Sequence, residues 1–217
     1  MSGSGPSTFW HLVTRLGEAQ IVLPAAILTA LALFRRPQGR SLSVAWMGWL
    51  FVAVVLTTAT KVAFIGWGVG WAALDFTGIS GHAMFSSSIY PVLLGASFRP
   101  MSRRGWWIGV AIGVALALLI GVSRVVVGAH SVSEVVAGLL LGFAVSAASM
   151  RHDAIGLGFL HPLLPVVIAL WLVLTPTQAS ASRTHSAVTR LSLLLSGHAR
   201  PFTRRDLLRR LHPRPTA

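Results

Sequence analysis

Cysteine is absent from the 217 residues. That excludes disulfides and any metal centre built on thiolates. Acid is scarce as well, with five Asp and Glu in the whole chain. Lysine occurs once, as Lys61, so the net charge of +13 comes almost wholly from arginine. No internal repeat divides the sequence. What is present in quantity is apolar: 54 % of the residues are hydrophobic, and they fall in long runs rather than in amphipathic stripes. A soluble domain does not have that pattern. It predicts an all-α fold, an integral membrane helical bundle with about six transmembrane helices. An arginine-rich balance also occurs in nucleic-acid binders. In a chain of apolar runs it reads instead as loops facing anionic membrane lipids, and no nucleic-acid partner is expected.

The predicted spans cover about 18–34, 43–60, 83–98, 106–122, 135–150 and 155–175. Several are shorter than the roughly 20 residues of a full crossing, so they should extend into their flanks. The first ends in Phe34-Arg35-Arg36 with no small-residue cleavage site, so it reads as a span and not as a signal peptide. Phe9, Trp10 and Leu12 ahead of it suit an interfacial anchor. The loops 35–42, 99–105 and 151–154 are short and basic, which puts them in the cytoplasm. Loops 61–81 and 123–133 then share the opposite face. Residues 1–176 form the transmembrane domain, with its motif-bearing core at 43–150. Residues 177–217 form a basic tail with eight arginines and two weakly amphipathic pieces, 186–195 and 204–211. Six spans put this tail on the outer face, as a surface helix whose arginines contact lipid phosphates. If the run 155–175 does not cross, the tail is cytoplasmic.

The outer face collects the chemistry. Lys61 closes the second span. Ser80, Gly81 and His82 open the third. Ser123 and Arg124 follow the fourth, with His130 and Glu134 around the start of the fifth. Unpaired N–H groups at a helix start attract anions. Arginine grips phosphate oxygens bidentately and lysine adds a point charge. Two histidines can then divide the work, one attacking phosphorus and one protonating the leaving oxygen. Glu134 lies four residues after His130, close enough to accept one ring N–H and fix the tautomer. Ser131 or Ser133 is placed to cap the helix.

These residues, in this order, resemble the type 2 phosphatidic acid phosphatase superfamily of membrane lipid phosphatases. Its three motifs are a Lys separated by six residues from Arg-Pro, a Pro-Ser-Gly-His, and Ser-Arg, five residues, His, three residues, Asp. Ser123, Arg124, His130 and Glu134 match the third, Ser80, Gly81 and His82 the second, and Lys61 alone the first. The resemblance implies that His130 forms a phosphohistidine and that His82 protonates the leaving group. It implies that Arg124, Lys61, Ser80 and Gly81 cradle the phosphate and that Glu134 orients His130, with no metal and no cofactor. The substrate it implies is a lipid phosphate or diphosphate monoester, such as phosphatidic acid, phosphatidylglycerophosphate or undecaprenyl diphosphate. The setting it implies is a bacterial inner membrane, with the site facing the periplasm or cell exterior. Phosphotransfer to another lipid, or binding of anionic lipid without turnover, are the alternatives. A vanadate haloperoxidase does not suit so short and apolar a chain.

Three departures stand out. Gly68 and Val69 occupy the Arg-Pro positions of the first motif, so the cradle lacks one guanidinium. Ile79 replaces a proline, and Glu134 is one methylene longer than the aspartate. Each residue also has a plainer reading: a snorkelling Lys61, a structural His130–Glu134 pair, a hydrogen-bonded His161 in the sixth span. His11, His152, His185, His198 and His212 read as solvated or interfacial. Asp75 reads as positioning its loop or pairing with an arginine.

Overall fold

The computed structural model of the chain describes residues 5–100, 102–151 and 180–209. The predicted sixth span, with His152, Asp153 and His161, lies outside those residues, as do His212 and the side chain of His185. The described chain is an all-α membrane bundle. Its helices are α1 (Gly5–Arg15), α2 (Ala19–Phe34), α3 (Arg40–Trp67), α4 (Gly81–Phe98), α5 (Arg103–Val126), α6 (Val132–Ser149), α7 (Ser180–Ser196) and α8 (Arg204–Arg209). Four described stretches are long and apolar enough to cross a bilayer: 8–34, 37–67, 103–126 and 132–149.

The apolar runs set the helices, and local chemistry sets their ends. α3 has 28 residues, about 42 Å at about 1.5 Å per residue, well beyond the predicted 43–60. It continues through Lys61 and stops at Gly68, whose φ of 68° only glycine adopts freely, with the Gly68 N–H bonded to the Phe64 carbonyl at 2.7 Å. α5 starts where the Ser102 hydroxyl accepts from the Gly105 N–H at 2.8 Å. At the start of α6, Ser131 and Glu134 form a reciprocal capping box.

α4 is the centre of the bundle. It is buried nearly all round and packs against both α5 and α6. Its serines do not prevent this. Ser87 donates to the Ala83 carbonyl at 2.7 Å and Ser97 to that of Leu93 at 2.8 Å, so neither hydroxyl is left unpaired in the interior. Close approach comes from glycine on both neighbours. A Cβ at Gly109 of α5 would stand 2.3 Å from the Leu94 carbonyl oxygen, and one at Gly142 of α6 would stand 2.3 Å from that of Met84. Small residues four apart on α5 (Gly109, Gly113) and α6 (Gly138, Gly142) are what let helices pack this closely in lipid. Outward faces are apolar instead: Phe51, Trp107 and Leu140 are each more than half exposed. That reversal of the soluble pattern is what a lipid solvent requires.

The helices alternate in direction. The basic turns around Arg35–Arg40 and Arg99–Arg104 therefore lie at one end. The starts of α2, α4 and α6 and the ends of α3 and α5 lie at the other, where the candidate site is.

Candidate active site

One cavity of about 640 Å³ opens at that second end. Lys61, Gly81, His82, Arg124 and His130 all line it, so residues up to 69 positions apart in sequence face one space.

His130 sits in the loop between α5 and α6, ahead of the N-cap Ser131 rather than on the helix itself. Its Nδ1 lies 2.6 Å from Glu134 Oε2. A carboxylate only accepts, so Nδ1 carries the proton and Nε2 keeps its lone pair. Burial is the largest influence on this ring and pushes its pKa below the usual 6.5, outweighing the pull of Glu134 in the other direction. A neutral imidazole with Nε2 free is able to act as a nucleophile.

Glu134 is fully buried, and every donor around it converges on the carboxylate. The Thr77 N–H donates at 2.7 Å and its hydroxyl at 2.5 Å. The Ser131 N–H donates at 3.2 Å, and Nη2 of Arg204 reaches both oxygens, at 2.8 and 2.7 Å. The extra methylene relative to aspartate is accommodated, because the side chain reaches back from the first turn of α6 to close the capping box and still meets His130.

Arg124 lies in the last turn of α5, not in the loop. Its Nη1 donates to the Thr14 hydroxyl at 2.7 Å. Its Nε is buried with no hydrogen-bond partner among the described residues, and the same holds for the Ser80 hydroxyl. Ser80 is the N-cap of α4, yet its side chain makes no capping bond. The Ser80 N–H is tied to the Glu134 carbonyl at 3.1 Å, and the neighbouring Ile79 N–H donates to the Thr60 hydroxyl at 3.1 Å. The turn is thus held from α3 and from α6. Lys61 Nζ would be 3.7 Å from a Cβ at Gly81, so the ammonium stands over the start of α4. Together these groups are of the kind that can hold an anion: an ammonium, a guanidinium edge, a hydroxyl and the N–H groups of a helix start. Ser123, by contrast, is turned into the bundle and donates to the Ile120 carbonyl at 2.6 Å.

The family model described as the PAP2 superfamily matches residues 62–154. An uncharacterized 22.5 kDa protein in the cps region of Klebsiella pneumoniae is 33 % identical over 208 residues, covering 91 % of this chain and 97 % of that protein. The chain belongs to the PAP2 superfamily. A lipid A 1-phosphatase of Rhizobium etli is 32 % identical over 118 residues, covering 49 % of this chain and half of that enzyme. No solved structure matches. The superfamily segment holds Ser80, Gly81, His82, Arg124, His130 and Glu134. Lys61 lies one position before it, and the tail lies well beyond it.

Sequence reasoning missed several contributors. Thr14 comes from α1, and Glu18 and Gln20 line the cavity from the start of α2. Thr77 holds Glu134 from the loop after α3. The tail supplies Val188, Pro201, Phe202, Thr203 and Arg204 to the cavity wall. Arg204 pairs inside the protein: its Nη1 meets Asp75 Oδ2 at 2.7 Å while Nη2 holds Glu134. His198 is exposed, but its ring also bonds the Gly66 carbonyl at 2.7 Å. The one local signal was Thr203 three residues before Asp206, which forms a helix cap and puts Arg204 at the first position of α8.

Proposed function

We propose that the protein hydrolyses a lipid phosphate or diphosphate monoester through a phosphohistidine, without a metal. The observation that carries this reading is the cavity itself. A neutral His130 held by Glu134, a second imidazole in His82, and the cationic groups of Lys61 and Arg124 face one space. Phe64, Ile65, Phe85 and Val188 give the same space an apolar wall, which suits a lipid chain beside a phosphate head.

Nε2 of His130 attacks phosphorus and a P–O bond to the lipid breaks. The departing oxygen takes a proton from His82. Water then attacks the phosphohistidine, giving its proton to His82 and releasing phosphate and the free His130 ring. Lys61, Arg124, the Ser80 hydroxyl and the helix-start N–H groups hold the non-bridging oxygens as charge builds on them. Acid–base assistance by such a histidine is typically worth about 10²–10⁴-fold.

The lipid A 1-phosphatase relative supports a phosphate borne on a lipid. The cytoplasmic reading of the basic turns supports a site at the outer face of a bacterial inner membrane. The test is phosphate release from detergent-solubilised protein across phosphatidic acid, phosphatidylglycerophosphate, undecaprenyl diphosphate and a lipid A 1-phosphate, with and without chelator. Release that survives chelation and disappears in His130→Ala is expected. Release unchanged in His130→Ala, or abolished by chelation, would overturn the mechanism.

A further inference from the structure

We infer that the C-terminal segment 180–209 is a working part of this site, and that Arg204 is a positioning residue that locks Glu134 and, through it, the His130 ring. The inference rests on the phosphatase reading above. The superfamily match ends at residue 154, so nothing in it assigns a role to the tail.

The first observation is geometric. The Arg204 guanidinium forks across two carboxylates, Nη2 on both oxygens of Glu134 and Nη1 on Asp75 Oδ2. At the cavity wall its Nη1 and Nη2 are engaged by acid, which makes it a holder of Glu134. A planar fork of this kind fixes orientation as well as charge, which an ammonium would not.

The second observation is that the segment is docked. The Phe202 N–H donates to the Ile65 carbonyl at 2.9 Å, and His198 Nδ1 meets that of Gly66. Leu207 is buried against Phe64 and Ile65 at the end of α3. The Thr203–Asp206 cap then fixes the turn that presents Arg204. A surface anchor for lipid would need none of these contacts.

The third is electrostatic. Glu134 is a fully buried carboxylate beside a neutral imidazole. Such a charge needs a cation. If Lys61 or Arg124 supplied it, the cradle would lose a group that should meet phosphate. Arg204 neutralises Glu134 from the far side and leaves both in place. Its charge opposes the pull of Glu134 on the Nδ1 proton, in the same direction as the burial that lowers the His130 pKa.

The experiment uses full-length protein in detergent with phosphatidic acid. Arg204→Met should lower kcat by roughly 10²-fold, the scale of a small misplacement of a reacting group, with little change in KM. Arg204→Lys should recover only part of it, and Arg205→Ala, on the exposed side of α8, should leave kcat unchanged. In a Glu134→Gln background Arg204→Met should add no further loss. Losses that multiply in the double variant, a loss confined to KM, or an equal loss in Arg205→Ala would overturn the inference. If the wild type releases no phosphate from any lipid, the phosphatase reading fails separately, and the link is read from the histidine titration. The groups facing His130 are Lys61, His82, Arg124 and Glu134. With those intact, Arg204→Met should raise the His130 pKa in an NMR titration, and an unmoved pKa would overturn it.

Discussion

Replacing Glu134 with glutamine changes one oxygen for a nitrogen and almost no volume, yet the contacts predict a severe effect. The carboxylate accepts from His130 Nδ1, the Thr77 N–H and hydroxyl, the Ser131 N–H and Arg204. An amide offers one acceptor oxygen and an NH₂ that can only donate. Thr77 and His130 lie on different oxygens, so the amide nitrogen must face the N–H of one of them. If it keeps Thr77, the His130 Nδ1–H loses its acceptor and the ring is free to take the other tautomer, with the proton on the attacking nitrogen. If it turns over, the Thr77 N–H loses its acceptor and the loop 74–79 is loosened there. Each lost charge-assisted hydrogen bond is worth about 1.5–3 kcal/mol. One to two of them failing in the transition state corresponds to a kcat lower by roughly 10–10⁴-fold, at about 1.4 kcal/mol per tenfold. Glu134→Asp keeps the charge but withdraws it by one methylene, and should cost about 10²-fold or less. The assay is initial-rate phosphate release in detergent, normalised to folded protein by circular dichroism and thermal melting. A Glu134→Gln enzyme that is folded and retains wild-type kcat would refute the reasoning, because it would show that His130 needs no carboxylate behind it.

Two further predictions come from other parts of the molecule. Burial lowers the His130 pKa below 6.5, and the ring must be neutral to attack. The acid limb of kcat/KM should therefore lie below about 6.5, with activity lost as pH falls through it and present above it; a limb at 7 or higher would contradict the buried, neutral ring. Gly142→Val should destabilise the bundle by about 1–3 kcal/mol, because its Cβ would sit 2.3 Å from the Met84 carbonyl on the central helix; a melting temperature unchanged in the same detergent would count against that packing.

Much of this arrangement was readable from residues alone. The apolar runs placed five described helices to within a few residues at most ends, because lipid forces backbone hydrogen bonding inside each segment. The joint order of Lys61, Ser80–His82 and Arg124–Glu134 placed on one face residues that the fold does bring to one end of the bundle. The boundary after Lys61 was misread: a single lysine does not end a helix when VAFIGW follows, and the stop comes at Gly68. Hydropathy also gave no sign that the serine-bearing α4 sits at the centre, since that depends on glycines of α5 and α6 distant in sequence. Arg204 was beyond reach for the same kind of reason. Its carboxylate partners are 129 and 70 residues away, and the local Thr203–Asp206 cap marks a helix start without saying that Arg204 turns to Glu134.

The central claim is that His130 carries the phosphoryl group between lipid and water. The most direct measurement is rapid quenching of the enzyme with a lipid phosphate labelled on phosphorus, followed by mapping of the labelled residue under alkaline conditions that preserve phosphohistidine. The label should appear on His130, form and decay at rates consistent with turnover, and be missing in His130→Ala. Normal turnover with no covalent label, or with the label on any other residue, would contradict it.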